Sequence, residues 1–183
     1  MLVAPDSPDR ADVRALLTEH LAQMHATSPP DSVHALGPVA LATPGTTFLT
    51  ARSPDGALLG CGALVELAAA GPGAPGHGEL KSMRTAGTAR RRGVASAVLV
   101  RLLAVARERR YGRVSLETGS QELFAAARRL YARHGFEPCG PFGTYVADPH
   151  SVFLSLELAA DDAVKGLAQD PVQDPAPSPR ACC

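Results

Sequence analysis

The chain has 183 residues, 45% hydrophobic and 20% charged, with a formal net charge of zero. That is enough for one domain with a buried core, and too balanced for a general nucleic-acid binder, which would be basic overall. Aromatic residues make up 4% and tryptophan is absent, so the core must be mostly Ala, Val and Leu, and no apolar run approaches the ~20 residues of a membrane span.

Asp9 to Ala26 reads as a helix, with Asp9 or Asp12 as its cap and Val13, Leu16, Leu17, Leu21 and Met24 as an apolar stripe. Pro29-Pro30 ends that pattern, and Asp31 to Leu36 is a candidate short second helix. Thr46 to Arg52 and Ala57 to Leu67 read as strands joined by Ser53-Pro54-Asp55-Gly56, a hairpin turn in which Pro fixes φ and Gly accepts φ > 0. Ala68 to Gly78 is rich in Ala, Gly and Pro and reads as a flexible loop; Glu79 to Thr85 is a third strand. Gly93 to Arg109 is the strongest helix, with Val94, Val98, Leu102 and Val105 on one face. Arg113 to Thr118 is a strand, and Gln121 to His134 a helix that carries Leu123, Ala127 and Leu130 inward and stops at Gly135. Strands near Phe142 to Ala147 and Val152 to Leu158 follow. Residues 1–160 therefore read as one domain, and residues 161–183 as a tail expected to be disordered. Strand–helix–strand–helix in the centre, with hairpins on both sides, argues for an α/β fold with a mixed sheet. A right-handed crossover through the Gly93 helix would make the Glu79 and Arg113 strands parallel.

The charge is unevenly spread. From Lys81 to Arg133 there are thirteen Lys or Arg against three acids, Glu108, Glu117 and Glu122. Two readings stay open: a local anionic partner such as a nucleotide or phosphate, or a solvated arginine-rich helix face. The four cysteines, Cys61, Cys139, Cys182 and Cys183, form no CxxC or Cys/His ligand spacing, so no metal site is expected. Cys61 lies in an apolar run and reads as a small buried hydrophobe. The start, Met1-Leu2-Val3-Ala4-Pro5-Asp6, is too short and too soon acidic for a secretory signal, which points to a cytoplasmic protein.

The segment Arg90-Arg91-Arg92-Gly93-Val94-Ala95-Ser96 opens the apolar helix. A helix start leaves its first N–H groups without partners and carries partial positive charge. A diphosphate satisfies both needs. Gly93 lets the backbone approach closely, Ala95 adds little bulk, and the arginines add charge. Alone, R-x-x-G-x-A is a weak pattern; between a strand and a long apolar helix it reads as a phosphate cradle. The Arg90–Ser96 segment carries neither G-x-G-x-x-G nor G-K-[ST], so it is neither a dinucleotide fingerprint nor a P-loop. Some 35 residues later comes Leu130-Tyr131-Ala132-Arg133-His134-Gly135-Phe136, with a phenol near a helix end. By itself such a tyrosine fits amphipathic packing. Lys81, Ser82 and Arg84 put polar side chains on both faces of a central strand, which favours a strand lining a polar cleft. Glu117-Thr118-Gly119-Ser120 ends the next strand, either at a ligand crevice or as a turn with Ser120 as a helix cap. No histidine forms a recognisable dyad by spacing, and none is assigned a catalytic role.

Together the Arg90–Ser96 and Leu130–Phe136 segments resemble the signature of the GNAT superfamily of acyl-CoA-dependent N-acyltransferases. The resemblance covers Thr46 to Leu158. It implies a V-shaped mixed sheet of about six to seven strands, its central parallel pair splayed, flanked by about four helices. It implies acetyl-CoA as co-substrate, lying in the split between the Glu79 and Arg113 strands. The pantetheine arm would bond to the backbone of Met83, Arg84 and Thr85, and the pyrophosphate would meet Arg90, Arg91, Arg92, Gly93, Val94, Ala95 and Ser96. Tyr131 would protonate the departing thiolate, and Glu79, eleven residues before Arg90, would act as base, directly or through water. Glu79 equally fits an ion pair with Lys81 or Arg84. Lys81, Arg84 and Glu117 are the substrate-side candidates, the two cations for an acceptor carboxylate. Backbone N–H groups at a bulge in the Glu79 strand would polarise the thioester. Phe124 stands where many members carry Asn, seven residues before the tyrosine, and Gly87 where others have Pro. Met24–Pro30, Leu116–Ser120 and Cys139–Gly143 look like a bacterial GNAT subgroup without an assigned substrate. The expected partners are an acyl-CoA and a small-molecule or peptide amine, with no nucleic acid and no membrane. A homodimer is open, as is a non-catalytic acyl-CoA sensor.

Overall fold

The computed structural model describes residues 1–27, 29 and 36–158. Helix α1 (Ala11–Thr27) buries Val13, Leu16 and Leu17 along the stripe its spacing predicts. Asp12 lies inside its first turn, where an acid suits the helix dipole, and its carboxylate accepts from Arg52 at 2.6 Å. The candidate helix Asp31 to Leu36 and the expected tail fall outside the described residues, apart from Leu36. Strand β1 (Leu2–Pro5) is an edge element that four residues ending in Pro do not announce. A short helix, α2 (Pro38–Leu41), precedes the hairpin of β2 (Thr46–Arg52) and β3 (Leu58–Ala68). Its turn closes with Gly56 N–H on Ser53 O at 2.9 Å, with Gly56 at φ 86°.

Strand β4 runs from Gly76 to Thr85, so the last three residues of the expected Ala68–Gly78 loop are strand. The glycines mislead because they serve packing. A Cβ on Gly76 or Gly78 would stand 2.5 or 2.8 Å from the Tyr111 ring, which fills that space. Helix α3 (Val94–Glu108) buries Val94, Val98, Leu99, Leu102, Leu103, Val105 and Ala106. It leads to β5 (Tyr111–Gly119). The predicted fourth helix begins as a 3₁₀ turn at Glu122–Phe124 before α4 (Ala125–Arg133), and Leu123, expected inward, is half exposed. The expected strand at Phe142–Ala147 is absent. The chain forms β6 (Glu137–Pro138), then an irregular loop with a turn closed by Tyr145 N–H on Phe142 O, then β7 (Ser151–Glu157). Gly140, Pro141 and Gly143 break any ladder there, and the aromatic side chains pack on one another instead of alternating across a sheet.

The sheet order is β1-β2-β3-β4-β5-β7-β6. Every pair is antiparallel except β4–β5, which is parallel from Gly76↔Tyr111 to Leu80↔Leu116. This is an α/β fold with a seven-stranded mixed sheet. Alternation sorts the strands into two cores. Leu49, Leu64, Leu80, Val114 and Leu116 pack with α3 and α4, while Phe48, Cys61 and Ala63 pack with α1 and α2. Among the described residues, no helix is long and apolar enough to cross a membrane.

Candidate active site

The parallel pairing of β4 and β5 stops at Leu80↔Leu116, although both strands continue, to Thr85 and Gly119. Beyond that point β4 stays paired with β3, and β5 with β7. The sheet therefore splits between two strands that each keep an outer partner. At the split β4 carries a bulge: Ser82 and Met83 stand opposite the single Gly62, between Lys81↔Ala63 and Arg84↔Cys61. Ser82 adopts φ 52°, and its buried hydroxyl oxygen has no partner among the described residues. The bulge sends Met83 toward α3 and Arg84 toward α1.

After the bulge, a 3₁₀ turn at Gly87–Ala89 leads to Arg90, Arg91 and Arg92, all exposed and without an ion pair among the described residues. Arg91 takes φ 61° and Gly93 φ 77°, so the chain turns sharply into α3. No side chain caps the helix. The first intrahelical bond is Ala97 N–H on Gly93 O, which leaves the N–H groups of Val94, Ala95 and Ser96 without carbonyl partners inside the helix. A Cβ on Gly93 would meet nothing within 4 Å. These residues fit a diphosphate: open space, unpaired donors, a helix N-terminus and three cations. The Ser96 hydroxyl also bonds His134 Nε2 at 2.8 Å, tying this turn to the end of α4. Nothing in the spacing signalled that contact.

Tyr131 is buried on α4 and packs edge-on against Phe136, with ring centroids 5.6 Å apart. Burial, with Glu117 nearby, raises its pKa, so the phenol keeps its proton at neutral pH. Glu117 is the first β5 residue past the last parallel pair and accepts from Ser151 Oγ at 2.7 Å. Phe124 lies against Gly119.

On the α1 face of the sheet, Glu79 is 4% exposed. Its Oε1 accepts from Tyr145 Oη at 2.6 Å and pairs with Lys81 Nζ at 2.8 Å. Lys81 also bonds the Tyr145 hydroxyl and lies 4.9 Å from the ring centroid. Of the two cations weighed as partners of Glu79, the structure pairs Lys81; Arg84 is held on α1 by Glu19 at 2.6 Å and by Gln23. Tyr145 is the site residue that sequence reasoning missed, because the loop that delivers it was read as a strand. Cys61 is 1% exposed, and burial pushes its thiol up to about 12, which removes it as a nucleophile. A cavity of about 520 Å³ lies under the same loop, lined by Arg113, Ser115, Cys139 and Phe142, and another of about 930 Å³ under residues 70–75; neither is lined by Tyr131, Glu79 or the first turn of α3.

A parallel pair that parts beside an uncapped helix is the arrangement that the resemblance to acyl-CoA N-acyltransferases implies. The chain belongs to the acetyltransferase (GNAT) family, whose profile matches residues 12–136. It is 47% identical to the uncharacterized N-acetyltransferase YsnE of Bacillus subtilis over 146 residues, 80% of this chain and 92% of that protein. It is 35% identical to the IAA acetyltransferase of Azospirillum brasilense over 156 residues, 85% of this chain and 97% of that protein. Among solved structures it resembles a Klebsiella pneumoniae protein provisionally described as an acyl-CoA N-acyltransferase, with 28% identity, a TM-score of 0.67, and coverage of 86% and 97% of the two chains. The fold is also that of an aminoglycoside 6'-N-acetyltransferase solved with coenzyme A, at a TM-score of 0.60 and 11% identity, covering 86% and 97%.

Proposed function

We propose that the protein moves an acetyl group from acetyl-CoA to a primary amine, with a small amine or amino acid as the favoured acceptor, by direct attack in a ternary complex. The observation that carries this reading is the parting of β4 and β5 after Leu80↔Leu116, with a helix start suited to a diphosphate following one strand. The backbone of Met83 to Thr85 bonds the pantetheine arm, and the turn from Arg90 to Ser96 takes the pyrophosphate. Backbone N–H groups at the Ser82–Met83 bulge polarise the thioester carbonyl. Glu79, directly or through water, takes a proton from the acceptor ammonium, freeing a lone pair. The nitrogen attacks the carbonyl carbon, the C–N bond forms, and the C–S bond breaks with its electron pair on sulfur. Tyr131 gives its proton to the leaving thiolate and recovers one from the new amide nitrogen. The proton on Glu79 passes to solvent, so one proton is released per turnover.

Lys81 and Glu117 stand on the acceptor side of this arrangement. Lys81 already neutralises Glu79, so acceptor recognition through it would be shared with that pairing. The Azospirillum relative points to an acceptor linked to its printed name, IAA; a panel should include that compound beside amino acids, polyamines, aminoglycosides and peptide N-termini. Thiol release from acetyl-CoA with this panel tests the proposal. Acetyl-CoA binding without thiol release for any acceptor would reject it in favour of a sensor.

A further inference from the structure

Resting on the transfer reading above, we propose that Tyr145 is a positioning residue of the reaction: its phenol, delivered by the loop between β6 and β7, fixes the Glu79 carboxylate in the orientation that takes the acceptor's proton. A carboxylate buried as deeply as Glu79 needs partners for its charge. Among the described residues the structure supplies two, and both fall on one oxygen. Tyr145 Oη reaches Oε1 at 2.6 Å and Lys81 Nζ reaches it at 2.8 Å. Since both donors occupy Oε1, Oε2 is the oxygen left to receive a proton from an amine or a bridging water. Two donors on one oxygen also set the rotation of the carboxylate, which a single ion pair to a flexible lysine does not.

The phenol is itself held. Its ring packs on Phe142 at 5.1 Å and on Phe153 at 5.4 Å between centroids, and Phe142 packs in turn on His77 at 5.9 Å and Phe153 at 6.0 Å. The chain has only five Phe and three Tyr, and three of these eight rings are spent on this cluster. A tyrosine that merely covered the sheet would keep its hydroxyl toward water; here the hydroxyl is aimed at a buried acid. Burial, then the Glu79 hydrogen bond, raises the pKa of Tyr145, so it remains a donor and exchanges no proton itself.

The test is a double-mutant cycle. Tyr145→Phe is made in the wild type and in Glu79→Gln, and thiol release is followed with the panel acceptor that the wild type uses fastest. Acetyl-CoA affinity is measured in parallel by calorimetry. In the wild-type background we expect kcat to fall about tenfold or more with affinity unchanged, and in Glu79→Gln the second substitution should add little. An equal loss in both backgrounds, or no loss in the first, would make Tyr145 a loop anchor and overturn the proposal while leaving acetyl transfer standing. If Tyr145→Phe does not melt as a folded protein, Lys81→Met removes the other donor, and the same loss of additivity with Glu79→Gln is expected. A wild type that releases no thiol with any acceptor would reject the transfer reading itself.

Discussion

Replacing Gly93 separates the two jobs of the turn before α3. The residue holds φ 77°, and a Cβ there would meet no atom within 4 Å. The penalty to the fold is therefore conformational rather than steric, about 1–2 kcal/mol for an ordinary side chain in the left-handed region, or roughly 2–8 °C in Tm for a chain of this size. The open space is where the proposed pyrophosphate meets backbone N–H groups. Gly93→Val should thus weaken acetyl-CoA binding by at least ~1.4 kcal/mol, about tenfold, in a protein that still folds. Gly93→Asn tells the effects apart, since Asn tolerates this conformation. It should recover most of the stability and little of the affinity. Gly87→Ala is the control, because that position has open space and an ordinary φ. Calorimetry and thermal melts on the three variants suffice. A folded Gly93→Val with wild-type affinity would refute the cradle.

Tyr131→Phe keeps the ring against Phe136 and removes the proton. We expect kcat to fall roughly 10²-fold with acetyl-CoA affinity retained, and wild-type kcat would take the phenol out of the mechanism. Glu79→Gln should lose most activity near neutral pH, where the acceptor is an ammonium, and partly recover as free amine increases; a loss that stays constant with pH would argue against a base. His20 on α1 gives a stability test. Burial, then the nearby Arg84 cation, lowers its pKa from 6.5 to about 4. The unfolded chain binds a proton across that interval that the folded chain refuses, so this contribution is present above pH 6.5 and is lost as pH falls toward 4. His20→Gln should flatten the decline of Tm over that interval, and an unchanged slope would show that His20 is not buried neutral.

The parts that local chemistry writes were legible. The α3 stripe from Val94 to Val105, the Ser53–Gly56 turn and the start of α3 after Gly93 all rest on residues close in sequence. The mixed sheet with its parallel centre follows from the order of elements. What escaped depends on distant partners. Gly76 and Gly78 looked like loop because the reason for them, Tyr111, lies over thirty residues away and arrives only with the sheet. The segment Phe142–Ala147 has strand-like residues, yet Gly143, with Gly140 and Pro141 just before the segment, bends the chain so that Tyr145 reaches Glu79, 66 positions earlier. Lys81 and Arg84 looked equivalent on paper. The bulge at Ser82 and Met83 brings both onto the α1 face, where Lys81 pairs with the buried acid and Arg84 with Glu19 on α1.

The parting of β4 and β5 also gives this sheet something most sheets avoid: two raw borders in its middle as well as the usual two at its rim. Unpaired strand borders invite foreign strands, and here the natural visitor is the pantetheine arm, whose amides bond along Met83 to Thr85 in the proposed complex. The ligand then completes the sheet as well as entering it. Protein purified without coenzyme A would carry an open seam, prone to self-association, and adding the coenzyme should raise Tm and slow amide exchange along that seam.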